Sequence, residues 1–312
     1  MAFWKKKRKR QTTAKKKTNV ASMKPKLEYK PPTWQPTIPM PDKKLGDVST
    51  KSPDEKIPET KPVEKHPDYR KEFLNAFQKL TYQHRTWDIW RDFIIMFACS
   101  LSNSMDKARY DEREKRYLLI IKKYNKQEQM LFPELAAHTV MALEDNPEQD
   151  FLGSIFMELK LGNESGGQFF TPYHVCQLMA DITIGDVAAQ IEKDGYVTIH
   201  DPCCGAGATL IAGVHSARKQ LEKAGLNFQN HVLVAAQDID EIVALMCYIQ
   251  LSLLGVAAYI KVGNALTDPM TGNDSLDNYW FTMMYYSDVW TMRRIFHRMD
   301  DLTKGETNER ET

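Results

Sequence analysis

The sequence predicts a mixed α/β fold: a helical region, then strands alternating with helices around a parallel sheet, preceded by an arm that does not pack. Three observations carry this. Apolar residues recur at helical spacing from Asp68 to about Leu161. After Gly162 short β-branched runs alternate with longer helical ones, the pattern of a parallel sheet. Before Asp68 the chain is first basic and then proline-rich. A length of 312 residues allows about two domains, and a hydrophobic share of 42% supplies a sizeable core. That share excludes a wholly disordered chain, and 15 Gly with 15 Pro exclude a collagen-like one.

The net charge of +1 hides a polarised chain. Residues 1–30 hold 12 Lys or Arg against one acid, Glu28, a net of +11, so the remainder carries −10. Lys5, Lys6, Lys7, Arg8, Lys9 and Arg10 are one unbroken basic run, and Lys15, Lys16 and Lys17 a second. Such a block stays solvated and suits contact with DNA through counterion release, without sequence preference. A solubilising tail would have the same composition. No apolar h-region follows it, so a secretory signal is not expected. No run of 18 apolar residues exists, so no membrane helix is expected either. Five cysteines without framework spacing point to a reduced, cytoplasmic protein. Ten prolines between Pro25 and Pro67 block both helix and sheet, which makes residues 1–67 a disordered arm and linker.

A helical domain is expected over 68–161. Phe73, Phe77 and Leu80 form one stripe, and Trp87, Trp90, Ile94 and Phe97 another. Tyr117, Leu118 and Ile121 mark a charged helix, and Leu131–Leu143 and Phe151–Leu161 two more. Asp150 is placed to cap the last and Gly162 to end it. Over 162–300 the expected strands are Tyr196–His200, His231–Ala236 and Ala257–Val262, with a fourth at Asn278–Tyr286. The helices between them are Ala206–Ala224 and Asp240–Leu254, a last one spans Asp288–Met299, and 301–312 is a polar tail.

Chemistry concentrates at Asp201-Pro202-Cys203-Cys204-Gly205-Ala206-Gly207, which follows the first strand and opens a helix. Gly205 and Gly207 let the backbone turn and approach a ligand without a Cβ, and the helix N-terminus offers free N–H groups. Asp238, at the end of the next strand, suits both hydroxyls of a ribose, and Asn264, ending the third, can reach an adenine edge. Three polar points at three consecutive strand ends describe a nucleoside pocket. The adjacent Cys203 and Cys204 cannot chelate one zinc, and no C-x-x-C or H-x-x-x-H occurs, so no metal is expected. Packing accounts for Cys203, and His200 reads as structural.

Together with Gly167-Gln168-Phe169-Phe170-Thr171-Pro172, these residues resemble the gamma-type N6-adenine DNA methyltransferases, most of all the modification subunit of type I restriction systems. The likeness is good over about 145–267, loose over 68–144 and poor elsewhere. It implies a Rossmann-like, S-adenosylmethionine-dependent methyltransferase domain with DNA as substrate. It also implies that the segment Gly167–Pro172 closes over the methionine end of the cofactor. Thr171 would then offer a hydroxyl to the cofactor carboxylate and Phe170 an apolar wall, although Phe169 and Phe170 also suit a plain core.

One family element is missing. Adenine methylation in the family uses Asn or Asp, Pro-Pro and an aromatic at the end of strand four, which hold the target amine and stack on a flipped base. Here the only Pro-Pro is Pro31-Pro32 in the linker. Tyr285, Tyr286 and Asp288 are the nearest substitutes, and a buried strand with a cap at Ser287 or Asp288 explains them equally. The sheet is also short for the family, so a protein partner or homo-oligomer is expected to complete it and to supply target recognition. The reading is therefore an adenine-N6-specific DNA methyltransferase or a subunit of one. Its alternative is a catalytically inactive subunit that binds cofactor and DNA.

Overall fold

The computed structural model describes residues 67–162, 170–272 and 274–308, the side chains of 300–308 excepted. The arm with Lys5–Arg10 and Lys15–Lys17, and the linker up to His66, lie outside the described residues.

Five helices come first: α1 (Tyr69–Leu80), α2 (Thr86–Met105), α3 (Tyr110–Ile121), α4 (Lys126–Asp145) and α5 (Phe151–Glu158). Their starts are chemically marked. Asp68 accepts from Lys71 N at 3.1 Å, and Asn125 and Glu128 form a reciprocal capping box. Phe73, Phe77, Trp90, Phe93, Phe151 and Phe156 make one buried aromatic cluster, with Phe73 and Phe151 edge to face at 5.8 Å. Two stripes differ from expectation. Trp87 stands 38% exposed, and in α3 Leu118 faces solvent while Ile120 and Arg113 turn inward. Arg113 explains the turn of α3. It pairs with Asp106 at 2.8 Å, donates to Tyr279 O at 2.8 Å, and lies 3.9 Å from the Trp280 ring centre. The helix thus rotates to bring a cation, not Leu118, against the sheet. Asp150 caps α5 as expected, but Lys160, not Gly162, adopts the left-handed backbone that ends it.

The remaining elements are α6 (Tyr173–Thr183), α7 (Val187–Asp194), β1 (Val197–Asp201), α8 (Ala208–Lys223), β2 (Val232–Asp238), α9 (Glu241–Leu253), β3 (Ala257–Val262), β4 (Tyr279–Phe281) and α10 (Asp288–Asn308). The sheet order is β1-β2-β3-β4. β1, β2 and β3 are parallel, as expected, but β4 runs antiparallel to β3. The expected strand Asn278–Tyr286 is only Tyr279–Phe281, because Met283–Tyr286 winds into a 3-10 turn. The connection from β3, residues 263–278, carries no α-helix among its described residues to cross the sheet, and the chain returns antiparallel. The last helix continues to Asn308, beyond the Met299 expected, into the region read as polar tail.

The crossover helices share one face of the sheet. Ile199 of β1 packs on Gly213 of α8, and Trp280 of β4 packs on Tyr248 of α9 at 5.4 Å. The register Ile199–Val234–Ala258 and Ala236–Ile260–Trp280 puts both on the same side. Thr198, His200, Tyr259 and Phe281 occupy the other side, with Thr198 and His200 exposed. One continuous apolar core joins the helical layer to the sheet, running from Phe73 and Trp90 through Phe156 to Met246 and Ile260.

Candidate functional site

β1 ends in Asp201, whose carboxylate organises the following loop. Oδ1 accepts from Cys203 N at 3.0 Å and Oδ2 from Thr209 Oγ1 at 2.6 Å. Gly205 and Gly207 both sit in the left-handed region, at φ 55° and 96°, which favours glycine. At Gly207 the approach is also close: a Cβ there would lie 2.8 Å from Cys247 Sγ. Cys204 is buried and Cys203 exposed, so the packing role expected of Cys203 belongs to Cys204. The Cys247 thiol and burial push the Cys204 thiol well above its ordinary range.

Three strand ends are stitched together here. Gly205 N donates to Asp238 Oδ2 at 2.9 Å, and Cys204 N to Gln237 O at 2.9 Å. Gly263 N, after β3, donates to Asp238 O at 2.8 Å. Asp238 Oδ1 accepts from Asp240 N at 3.0 Å. Each Asp238 oxygen thus keeps acceptor capacity. Burial raises the Asp238 carboxyl above its ordinary value, against the lowering effect of these two N–H donors. Asn264 spends its Oδ1 on Leu266 N and Thr267 N, closing its own turn. That loop is anchored by buried Lys261, which donates to Asp268 and Asp274 at 2.7 Å each.

Phe170 covers the loop. Its ring stacks on Phe156 at 5.3 Å and lies 3.5 Å from where a Gly205 Cβ would stand. A cleft open to solvent is lined by Asp150, Phe170, Thr171, Asp201, the loop Cys203–Ala206, Ala208 and Thr209. Pro172 occupies the N-cap position of α6 beside it. The structure therefore brings Phe170, Thr171, Asp201, Cys203 and Gly205 to one cleft. Gly207, Asp238 and Asn264 all lie outside its lining, and Asp238 is joined to it through the bond from Gly205 N. Gly167, Gln168 and Phe169 fall outside the described residues.

Two residues here escaped the sequence reading as site components. Asp150, 7% exposed, lines the cleft, and burial raises its carboxyl. Gln250, fully buried, donates from Nε2 to Asp150 Oδ1 at 2.7 Å and to Ala206 O at 2.9 Å, and its Oε1 accepts from Leu152 N at 3.1 Å. One amide thus ties α5, the glycine loop and α9 together. The available signal was a glutamine inside the apolar run Ile242–Leu253.

Tyr285, Tyr286 and Asp288 are not brought to this cleft. β4 carries the chain from the level of Lys261 back to that of Tyr259, so these residues follow at the amino end of β3, opposite the glycine loop. Tyr285 packs on Phe281 at 4.8 Å and under the Arg294 guanidinium at 3.9 Å. Ser287 Oγ makes no hydrogen bond among the described residues, so the cap expected there is not formed. Among the described residues no three His, Cys, Asp or Glu side chains cluster as metal ligands, and no helix is long and apolar enough to cross a membrane.

The cleft stands at the carboxyl end of β1, in the parallel part of a mixed sheet, where open α/β sheets bind their ligands. Residues 150–310 match the N-6 DNA methylase family, and the chain belongs to that family. A solved structure similar to it is that of a Listeria monocytogenes protein assigned to the class I S-adenosylmethionine-dependent methyltransferases. That match has 14% identity and a TM-score of 0.35, covering 65% of this chain. The chain spans 56% of the length of that protein. No curated protein matches the chain in sequence.

Proposed function

We propose that this chain is an adenine-N6-specific DNA methyltransferase or a subunit of one, acting in the cytoplasm with S-adenosylmethionine. Membership of the N-6 DNA methylase family supports DNA as substrate and this cofactor. The observation that carries the assignment to particular residues is the hydrogen bond from Gly205 N to Asp238 Oδ2. It sets a Cβ-free loop against a carboxylate, which is what a ribose and an amino-acid end both require.

The residues present fit the cofactor. Asp238 would receive the ribose hydroxyls, and Thr171 with the N-terminus of α8 the carboxylate of the methionine end. Phe170 would wall the apolar stem. Gly167, Gln168, Phe169 and Pro172 belong to the same closing segment, and Asn264 would take the adenine side through its Nδ2. When bound, the cofactor supplies an electrophilic methyl group on sulfur. The chain's own contribution is to orient and to exclude water, with positioning supplying most of the rate. The basic residues Lys5–Arg10 and Lys15–Lys17 would hold the phosphate backbone. A protein partner or second copy would complete the sheet.

A second reading has its own observation. β4 pairs with β3, and Tyr285, Tyr286 and Asp288 lie at the opposite sheet edge from Gly205. A subunit that binds cofactor and DNA without transferring methyl fits that placement. Incubation with DNA and radiolabelled S-adenosylmethionine separates the two. Label recovered as N6-methyladenine supports the enzyme, whereas cofactor binding without label under every condition supports the inactive subunit.

A further inference from the structure

Two acids line the cleft, Asp150 and Asp201, and their bonding differs. Asp201 divides its bonds within its own loop: Oδ1 accepts from Cys203 N and Oδ2 from Thr209 Oγ1. Asp150 concentrates its bonds on one oxygen. Oδ1 accepts from Gly153 N at 2.9 Å and from Gln250 Nε2 at 2.7 Å, which uses both of its lone pairs. Among the described residues no donor bonds to Oδ2. Gly153 leaves room for that oxygen, since a Cβ there would overlap it.

Asp150 is 7% exposed, and among the described residues no Lys, Arg or His pairs with it. A carboxylate so buried is costly unless a positive group stands beside it. Its position is nevertheless fixed. Gln250 bonds at once to Asp150, to Ala206 O in the cleft wall and to Leu152 N, so the carboxyl cannot swing away. The cleft also presents donors. Thr171 brings a hydroxyl, and α8 starts at Gly207 without a side-chain cap, so its first N–H groups stay available. Donors with an uncompensated acid in one cleft suit a zwitterion.

We propose that Asp150 Oδ2 receives the α-ammonium of the cofactor's methionine end, while the carboxylate of the same end meets Thr171 and the start of α8. This rests on the cofactor assignment above and gives a partner to the amine, which that assignment leaves without one. The cofactor carries two cationic groups. Only the ammonium has N–H donors to offer a carboxylate oxygen; the sulfonium has none. Asp150 is thus a binding residue that acts through charge and one free oxygen, in addition to capping α5.

Calorimetric titration of the full chain with two ligands tests it. One is S-adenosylhomocysteine, which keeps the amino-acid end but has a neutral sulfur. The other is its analogue with hydrogen in place of the α-amino group. Asp150→Asn is the variant to compare, because its Oδ1 can keep both bonds while an NH2 group replaces Oδ2. A urea midpoint no lower than the parent's shows that it is folded. The parent should bind S-adenosylhomocysteine about tenfold or more tightly than the desamino analogue. Asp150→Asn should lose about tenfold for S-adenosylhomocysteine and nothing for the analogue, so that the two ligands become nearly equal. Equal losses for both ligands would mark a structural role and overturn the proposal. So would undiminished binding of S-adenosylhomocysteine by the variant, or a parent that does not distinguish the ligands. A parent that binds neither ligand overturns the cofactor assignment and the proposal with it, so the unmutated chain tells the two failures apart.

Discussion

Gly205 N and Asp238 Oδ2 meet at 2.9 Å, joining the loop after β1 to the end of β2. The contact ties the cleft-lining loop to the strand end with one charge-assisted hydrogen bond. Gly205 holds a φ of 55° at this junction, a left-handed backbone that favours glycine.

Gly207→Ala should be the more damaging of the two loop substitutions. A Cβ at Gly207 would stand 2.8 Å from Cys247 Sγ, whereas at Gly205 it meets Phe170 at 3.5 Å, an ordinary contact. Both sites carry the left-handed backbone penalty, about 1–2 kcal/mol. The clash adds about 1–3 kcal/mol at Gly207 alone. Urea unfolding of the two variants gives the comparison, and equal losses would refute it.

Arg113→Ala should destabilise the chain by about 3–5 kcal/mol, because it leaves buried Asp106 without its cation. Arg113→Lys should restore little of this. A lysine cannot at once reach Asp106 and Tyr279 O and lie flat on Trp280. Denaturant midpoints for the two variants measure it directly.

Asp150→Asn should alter the pH dependence of stability. The folded carboxyl is raised by burial. Its contribution is therefore complete below the unfolded pKa and is lost as pH rises through the folded pKa. Asparagine can still accept from Gly153 N and Gln250 Nε2 and has no charge to bury. Relative to the parent, the variant should gain stability from the ordinary carboxylate range toward neutrality. Unfolding followed between pH 4 and pH 7 (roughly the span that matters for carboxyls) would show parallel curves if Asp150 were not responsible.

Affinity for S-adenosylmethionine should fall as the solution is acidified through the raised Asp238 pKa, above the ordinary 3.8. Ribose hydroxyls donate to a carboxylate, and protonation removes that acceptor. Asp238→Asn should bind more weakly and flatten this dependence. Titrations at several pH values check both, and an unchanged slope in the variant would assign the effect elsewhere.

Much of this was legible because local and tertiary preferences agree. The stripe Phe73–Phe77–Leu80, the glycine loop and the run Ala257–Val262 each state one structure at short range, and each forms as read. The misreadings arise where a distant residue decides. Leu118 faces water because Arg113 reaches the sheet, and Tyr285 leaves the strand where Met283–Tyr286 winds into a 3-10 turn against Phe281 and Arg294. Gln250 was invisible as a site residue because its partners, Asp150 and Ala206, are 100 and 44 positions away. No local period records such distances.

The most direct measurement is calorimetric titration of the chain with S-adenosylmethionine, repeated with Asp238→Ala. A cofactor cleft built on the Gly205–Asp238 junction predicts saturable binding by the parent, weakened about tenfold or more in the variant. Binding of equal strength by both would contradict the placement of the ribose at Asp238. No binding by the parent would contradict the cleft itself.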